Sequence, residues 1–133
     1  MSTNDTFVSD KIGNANVAWV LSATCLVWLM TPGIGLFYSG LAQKKNALSL
    51  IMLCFLSIPI VSIQWFVWGY SLVFNRNGGM FIGNLQNAIL RNLDWDSGPT
   101  NGSKNVPEFM FVIFQCMFAV LAPAIIIGGV AER

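Results

Sequence analysis

The sequence predicts an all-α membrane protein built on three spanning helices. Three stretches carry no charged residue, Ile12–Gln43, Asn46–Asn75 and Phe109–Ala131, with 32, 30 and 23 residues. All thirteen charged residues crowd into the short segments between and around them. A hydrocarbon core about 30 Å thick takes roughly 20 apolar residues in helix, so each stretch is long enough to cross. A soluble domain of 133 residues has no use for three such segments.

The rest of the composition removes whole classes of function. The chain is 55% hydrophobic and 10% charged with a net charge of +1, which gives no electrostatic case for nucleic acid. Histidine is absent, and with it the commonest acid–base group near neutral pH and the commonest metal ligand. Cys25, Cys54 and Cys116 lie one in each apolar stretch and form no CxxC pair, so they read as small buried hydrophobes rather than a disulfide framework or a metal site. No catalytic constellation, cofactor loop or intramembrane carboxylate is present, so no enzyme is expected.

The head, Met1–Lys11, is polar and slightly acidic, and the apolar stretch after it is too long for a signal peptide. The first span is therefore read as a permanent helix from about Val17 to Leu41, with an extracellular segment over 1–16 before it. Its TPGIG run, Thr31–Gly35, places a proline where it frees a backbone carbonyl. Gly35 and Ser39 form a small-xxx-small face for close approach, and both packing and pore lining remain open for this run. Ala42–Asn46 is a tight turn carrying Lys44 and Lys45.

The second span runs from about Ala47 to Phe74. Its far end is rich in aromatics, and Trp65, Trp68 and Tyr70 read as an interfacial belt. An outer loop follows over 75–107, in which Phe81, Leu85 and Ile89 recur every four residues and suggest a short surface helix. The third span covers about 108–131. Pro107 and Glu108 suit its first turn.

Two lysines and no acid in the first turn mark it as cytoplasmic, which puts the amino terminus and the 75–107 loop outside. Two N-x-S/T sequons, at Asn4 and Asn101, both fall on that outer side as candidate glycosylation sites. On the third span Phe111, Phe114, Gln115, Phe118, Ala122, Ile125 and Gly129 step by three or four and share a face. Phe114 and Phe118 sit one turn apart, either as ordinary core or as an aromatic constriction whose ring faces attract a cation.

The runs PGIGLFYSGL (Pro32–Leu41), QWFVWGYSLVF (Gln64–Phe74), FIGNL (Phe81–Leu85) and FQCMFAVLAPAIIIGGVAER (Phe114–Arg133) resemble the ammonium transporter family, Amt/Mep/Rh. Their order and spacing are similar to its first three helices, and the Asn-containing head with the Q-W-F-x-W-G-Y run resembles its fungal Mep branch. The resemblance implies an eleven-helix fold with an inverted repeat, a homotrimer in the plasma membrane, and ammonium or ammonia as substrate. It also implies that Phe118 is the outer gate, Phe114 the ring beside it, and Ile34 and Ile125 part of the apolar pore wall.

The family's paired pore histidines, vestibule tryptophan and serine, and buried aspartate lie on later helices. A chain ending at Ala131-Glu132-Arg133 is thus expected to be the amino-terminal part of such a transporter. Two rival expectations stand beside transport: an ammonium sensor with a signalling role, and a truncated, transport-inactive membrane protein.

Overall fold

The computed structural model describes residues 3–74, 79, 82–91, 93 and 106–130, with side chains from Gly13 onward. The chain runs through α1 (Thr3–Leu41), α2 (Ala47–Gln64), a π-helical turn (Trp65–Gly69), α3 (Tyr70–Val73), a 3₁₀ segment (Leu85–Leu90) and α4 (Glu108–Val130). Among the described residues three helical stretches have the length and apolarity to cross a bilayer: Gly13–Leu41, Ala47–Val73 and Glu108–Val130. Each packs against the other two.

The first span differs from expectation at its start. Helical backbone reaches back to Thr3 rather than beginning near Val17, so most of the 1–16 segment is helix. No proline precedes Pro32, and extending a formed helix costs little per residue, so a polar sequence alone does not stop it.

Pro32, Pro59 and Pro123 each lie inside a continuous helix. Each removes one N–H and frees the carbonyl four residues earlier, which a membrane helix accommodates through its neighbours. Buried hydroxyls find partners inside their own helices: Thr24 Oγ1 donates to the Val20 carbonyl at 2.7 Å and Ser57 Oγ to that of Cys54 at 2.7 Å. Gly35 settles one open reading of the TPGIG run. A Cβ there would lie 3.2 Å from Cys54 Cβ, so this glycine lets α1 approach α2 closely and serves packing.

The second span ends in a π turn that its sequence does not announce. Tyr70 N–H donates to the Trp65 carbonyl, five residues back. In an α-helix those residues would sit about 140° apart around the axis. The wider turn brings both rings to one side, with centroids 6.2 Å apart.

The surface helix expected around Leu85 and Ile89 is instead a 3₁₀ segment with non-helical backbone at Asn87, Ala88 and Ile89. Ile89 and Leu90 adopt left-handed φ of 58° and 53°, a conformation that costs a non-glycine residue about 1–2 kcal/mol. Docking to the end of the second span overrides the fourfold spacing. Gly83 N–H donates to the Leu72 carbonyl at 2.8 Å, Ser71 Oγ to that of Asn84 at 2.5 Å, and Asn87 N–H to Ser71 Oγ at 3.1 Å. Phe81 lies outside the described residues.

Candidate functional site

α4 carries the aromatic stripe read from its sequence. Phe114 and Phe118 are in T-shaped contact, with centroids 5.1 Å apart and planes at 75°. Phe114 is half-buried, whereas Phe118 is 45% exposed despite its size. Ile125, two turns further along, is 54% exposed, and Ile34 on α1 is half-buried. The opposite side of α4 is where it meets the bundle: Val112, Cys116, Val120 and Ala124 are buried. Leu121, beside the stripe, is buried as well, so what stays open on the second side of α4 is Phe118 and Ile125.

Above that stripe, at the Glu108 end of α4, lies an aromatic cluster in which Tyr70 is buried and Trp65, Phe74 and Phe111 are half-buried. Phe111 stacks edge-on to Phe74 at 5.1 Å, and Phe74 contacts Tyr70 at 5.5 Å and Trp65 at 6.3 Å. Trp65 Nε1 donates to the Val112 carbonyl at 3.2 Å, and the Tyr70 hydroxyl donates to Glu108 Oε1 at 2.7 Å. Tyr70 and Glu108 are 1% and 5% exposed. A buried carboxyl group is tolerated when it is hydrogen-bonded, and this pair pins the first turn of α4 to the second span. Trp65 and Tyr70 thus turn inward instead of joining an interfacial belt, while Trp68 is 49% exposed as a belt residue would be.

At the other end, the Tyr38 hydroxyl donates to the Ile125 carbonyl at 3.2 Å, and the Tyr38 ring lies against Gly128. Sequence reasoning missed this contact and the Tyr70–Glu108 bond. The adjacent glycines 128 and 129 inside an apolar helix were the available signal for the first. An apolar groove of about 340 Å³, lined by Leu53, Pro123, Ile126, Ile127 and Val130, contains none of the four predicted site residues.

Among the described residues no three His, Cys, Asp or Glu side chains gather as a metal site. Lys44 and Lys45 are exposed in the turn between the first two spans. Asn101 lies outside the described residues; at Asn4 only the helical backbone is described.

The family model of the Ammonium Transporter Family matches residues 18–133, nearly the whole chain beyond its head. The chain belongs to the ammonium transporter family. Among this family, it is 48% identical over 120 residues to ammonium transporter 1 of Schizosaccharomyces pombe, covering 90% of this chain and 24% of that protein. It is 49% identical over 108 residues to the ammonium transporter of Bacillus subtilis, covering 81% and 26%. The fold agrees with the crystal structure of Candida albicans Mep2 at a TM-score of 0.76 and 42% identity, over 86% of this chain and 25% of that one. The chain spans about a quarter of the length of these relatives.

Proposed function

We propose that the chain acts in ammonium transport, its three spans supplying one wall of a conduction path, with Phe118 as outer gate, Phe114 as the ring beside it, and Ile34 and Ile125 as apolar wall. The observation that carries this reading is the open side of α4. Phe118 and Ile125 are large, apolar and roughly half exposed, while the residues between them on the other side are buried in the bundle. The T-shaped contact of Phe114 and Phe118, one turn apart on that side, fits the mouth of a constriction.

The chemistry follows from charge and solvation. Two ring faces attract a cation at the mouth. Beyond them an apolar passage charges several kcal/mol to an ion and far less to neutral ammonia, so the substrate sheds a proton before crossing. The one carboxyl group in the described spans, Glu108, is buried and accepts from Tyr70 away from the Phe118–Ile125 stripe, so the reading assigns the proton's acceptor to other parts of the assembled path. The two relatives are ammonium transporters, and ammonium is the substrate proposed for this chain by that kinship. The same reading places the protein in the plasma membrane, amino terminus and Asn101 outside and Lys44 inside, as a homotrimer. The sequons at Asn4 and Asn101 are then accessible to glycosylation.

A chimera tests it: residues 18–130 of this chain replace the matched segment of Candida albicans Mep2 in cells lacking their own ammonium transporters. Uptake of radiolabelled methylammonium well above the vector control is expected. A chimera that reaches the surface in normal amount and takes up none would reject the proposal.

A further inference from the structure

We infer that Gly128 is a positioning residue for the conduction path: the bare backbone there is the seat of the Tyr38 ring, and this contact sets the spacing between α1 and α4 just beyond Ile34 and Ile125. The inference rests on the proposed transport function and adds a specificity determinant to it.

The geometry is local and one-sided. A Cβ placed at Gly128 would collide with three atoms of the Tyr38 ring, while one at Gly40, two residues beyond Tyr38 on α1, meets nothing within 4 Å among the described residues. The ring is held in that seat by its own hydroxyl, which donates to the Ile125 carbonyl at 3.2 Å. Tyr38 therefore spans almost one turn of α4, from Ile125 to Gly128. On α1, Tyr38 is one turn beyond Ile34, and on α4, Gly128 is three residues beyond Ile125, so each seat residue shares a face with its helix's wall residue.

The consequence is a rule about distance. Ring against backbone is closer than ring against a methyl group, and packed interiors do not absorb even one added methyl without displacement. The ring is rigid, so a Cβ at position 128 moves α1 away from α4 or swings Tyr38 off the Ile125 carbonyl. Either movement shifts Ile34 relative to Ile125 and so reshapes the wall they are proposed to form. A fold-stabilising contact alone would change how much protein is made. A spacer changes which substrate passes.

The test uses the chimera described above, with ammonium and methylammonium as probes and surface amount measured for each variant. Gly128→Ala is expected to lower uptake on the order of tenfold at equal surface amount and to shift the methylammonium-to-ammonium ratio severalfold. Gly40→Ala is expected to match the parent. In a Tyr38→Ala background, which removes the ring, Gly128→Ala is expected to cost nothing further. In a Tyr38→Phe background, which keeps the ring, it is expected to cost as much as in the parent. The same non-additivity is expected in thermal unfolding of the purified variants, which remains readable where uptake by Tyr38→Ala is too low to compare.

The inference is overturned if Gly128→Ala behaves like Gly40→Ala, if both substrates fall in proportion to surface amount, or if the effects of Gly128→Ala and Tyr38→Ala simply multiply. A parent chimera that fails to transport would instead reject the functional reading, which separates the two failures.

Discussion

Replacing Gly83 with alanine is expected to undock the outer loop from the end of the second span. A Cβ at this position would lie 2.6 Å from the Ser71 carbonyl oxygen and 2.8 Å from the Leu72 carbonyl carbon, and real Cβ atoms do not approach within 3.0 Å. Both obstacles are backbone, so the loop has to move. That movement breaks the Gly83 N–H bond to Leu72 and draws Asn84 and Asn87 away from Ser71 Oγ. Three hydrogen bonds at about 0.5–1.5 kcal/mol each put the loss at roughly 1.5–4.5 kcal/mol. The lower part of that range applies where the freed Ser71 hydroxyl turns back to a carbonyl of its own helix. Local opening then becomes more frequent by about tenfold to a thousandfold.

Hydrogen–deuterium exchange of peptides spanning residues 82–91, in lipid nanodiscs, reads this directly. Gly79→Ala is the matched control, since among the described residues a Cβ there meets only the Ile82 carbonyl, at an ordinary 3.6 Å. Equal protection in the two variants would refute the docking argument.

The Tyr70–Glu108 bond is expected to show coupling of about 1–3 kcal/mol in a double-mutant cycle of Tyr70→Phe and Glu108→Gln, read by thermal unfolding; additive effects would mean the two groups act independently. Orientation is checked by cysteine placed at Lys44 or Asn101 after Cys25, Cys54 and Cys116 are replaced. An impermeant thiol reagent applied to intact cells is expected to label position 101 and spare position 44, and the reverse pattern would invert the topology.

The spans were legible because lipid imposes a simple requirement, long uncharged helix, that Ile12–Gln43, Asn46–Asn75 and Phe109–Ala131 meet openly. The Phe114–Phe118 contact was legible for a related reason, since helical spacing of four fixes neighbours on one face. The π turn was not. Its cause is tertiary: Trp65 and Tyr70 hydrogen-bond to Val112 and Glu108, 47 and 38 residues away in sequence. The same holds for Leu85–Leu90, where spacing favoured a helix but Ser71 and Leu72 captured the loop backbone. Helix α1 runs past the polar residues before Val17 because polarity does not end a helix, whereas a backbone signal would. Gly128 stands beside Gly129 in the sequence, and only the Tyr38 ring against it distinguishes the two.

The central claim is that Phe118 gates a passage instead of filling a core, and uptake by Phe118→Ala in the chimera tests it most directly. Phe55 on α2, 48% exposed against 45% for Phe118, is the comparison, because it matches in size and exposure but lies off the stripe. At equal surface amount, Phe118→Ala is expected to lose methylammonium uptake or its discrimination against other monovalent cations, while Phe55→Ala keeps both. Unchanged rate and selectivity in Phe118→Ala would contradict the account and return that ring to ordinary packing.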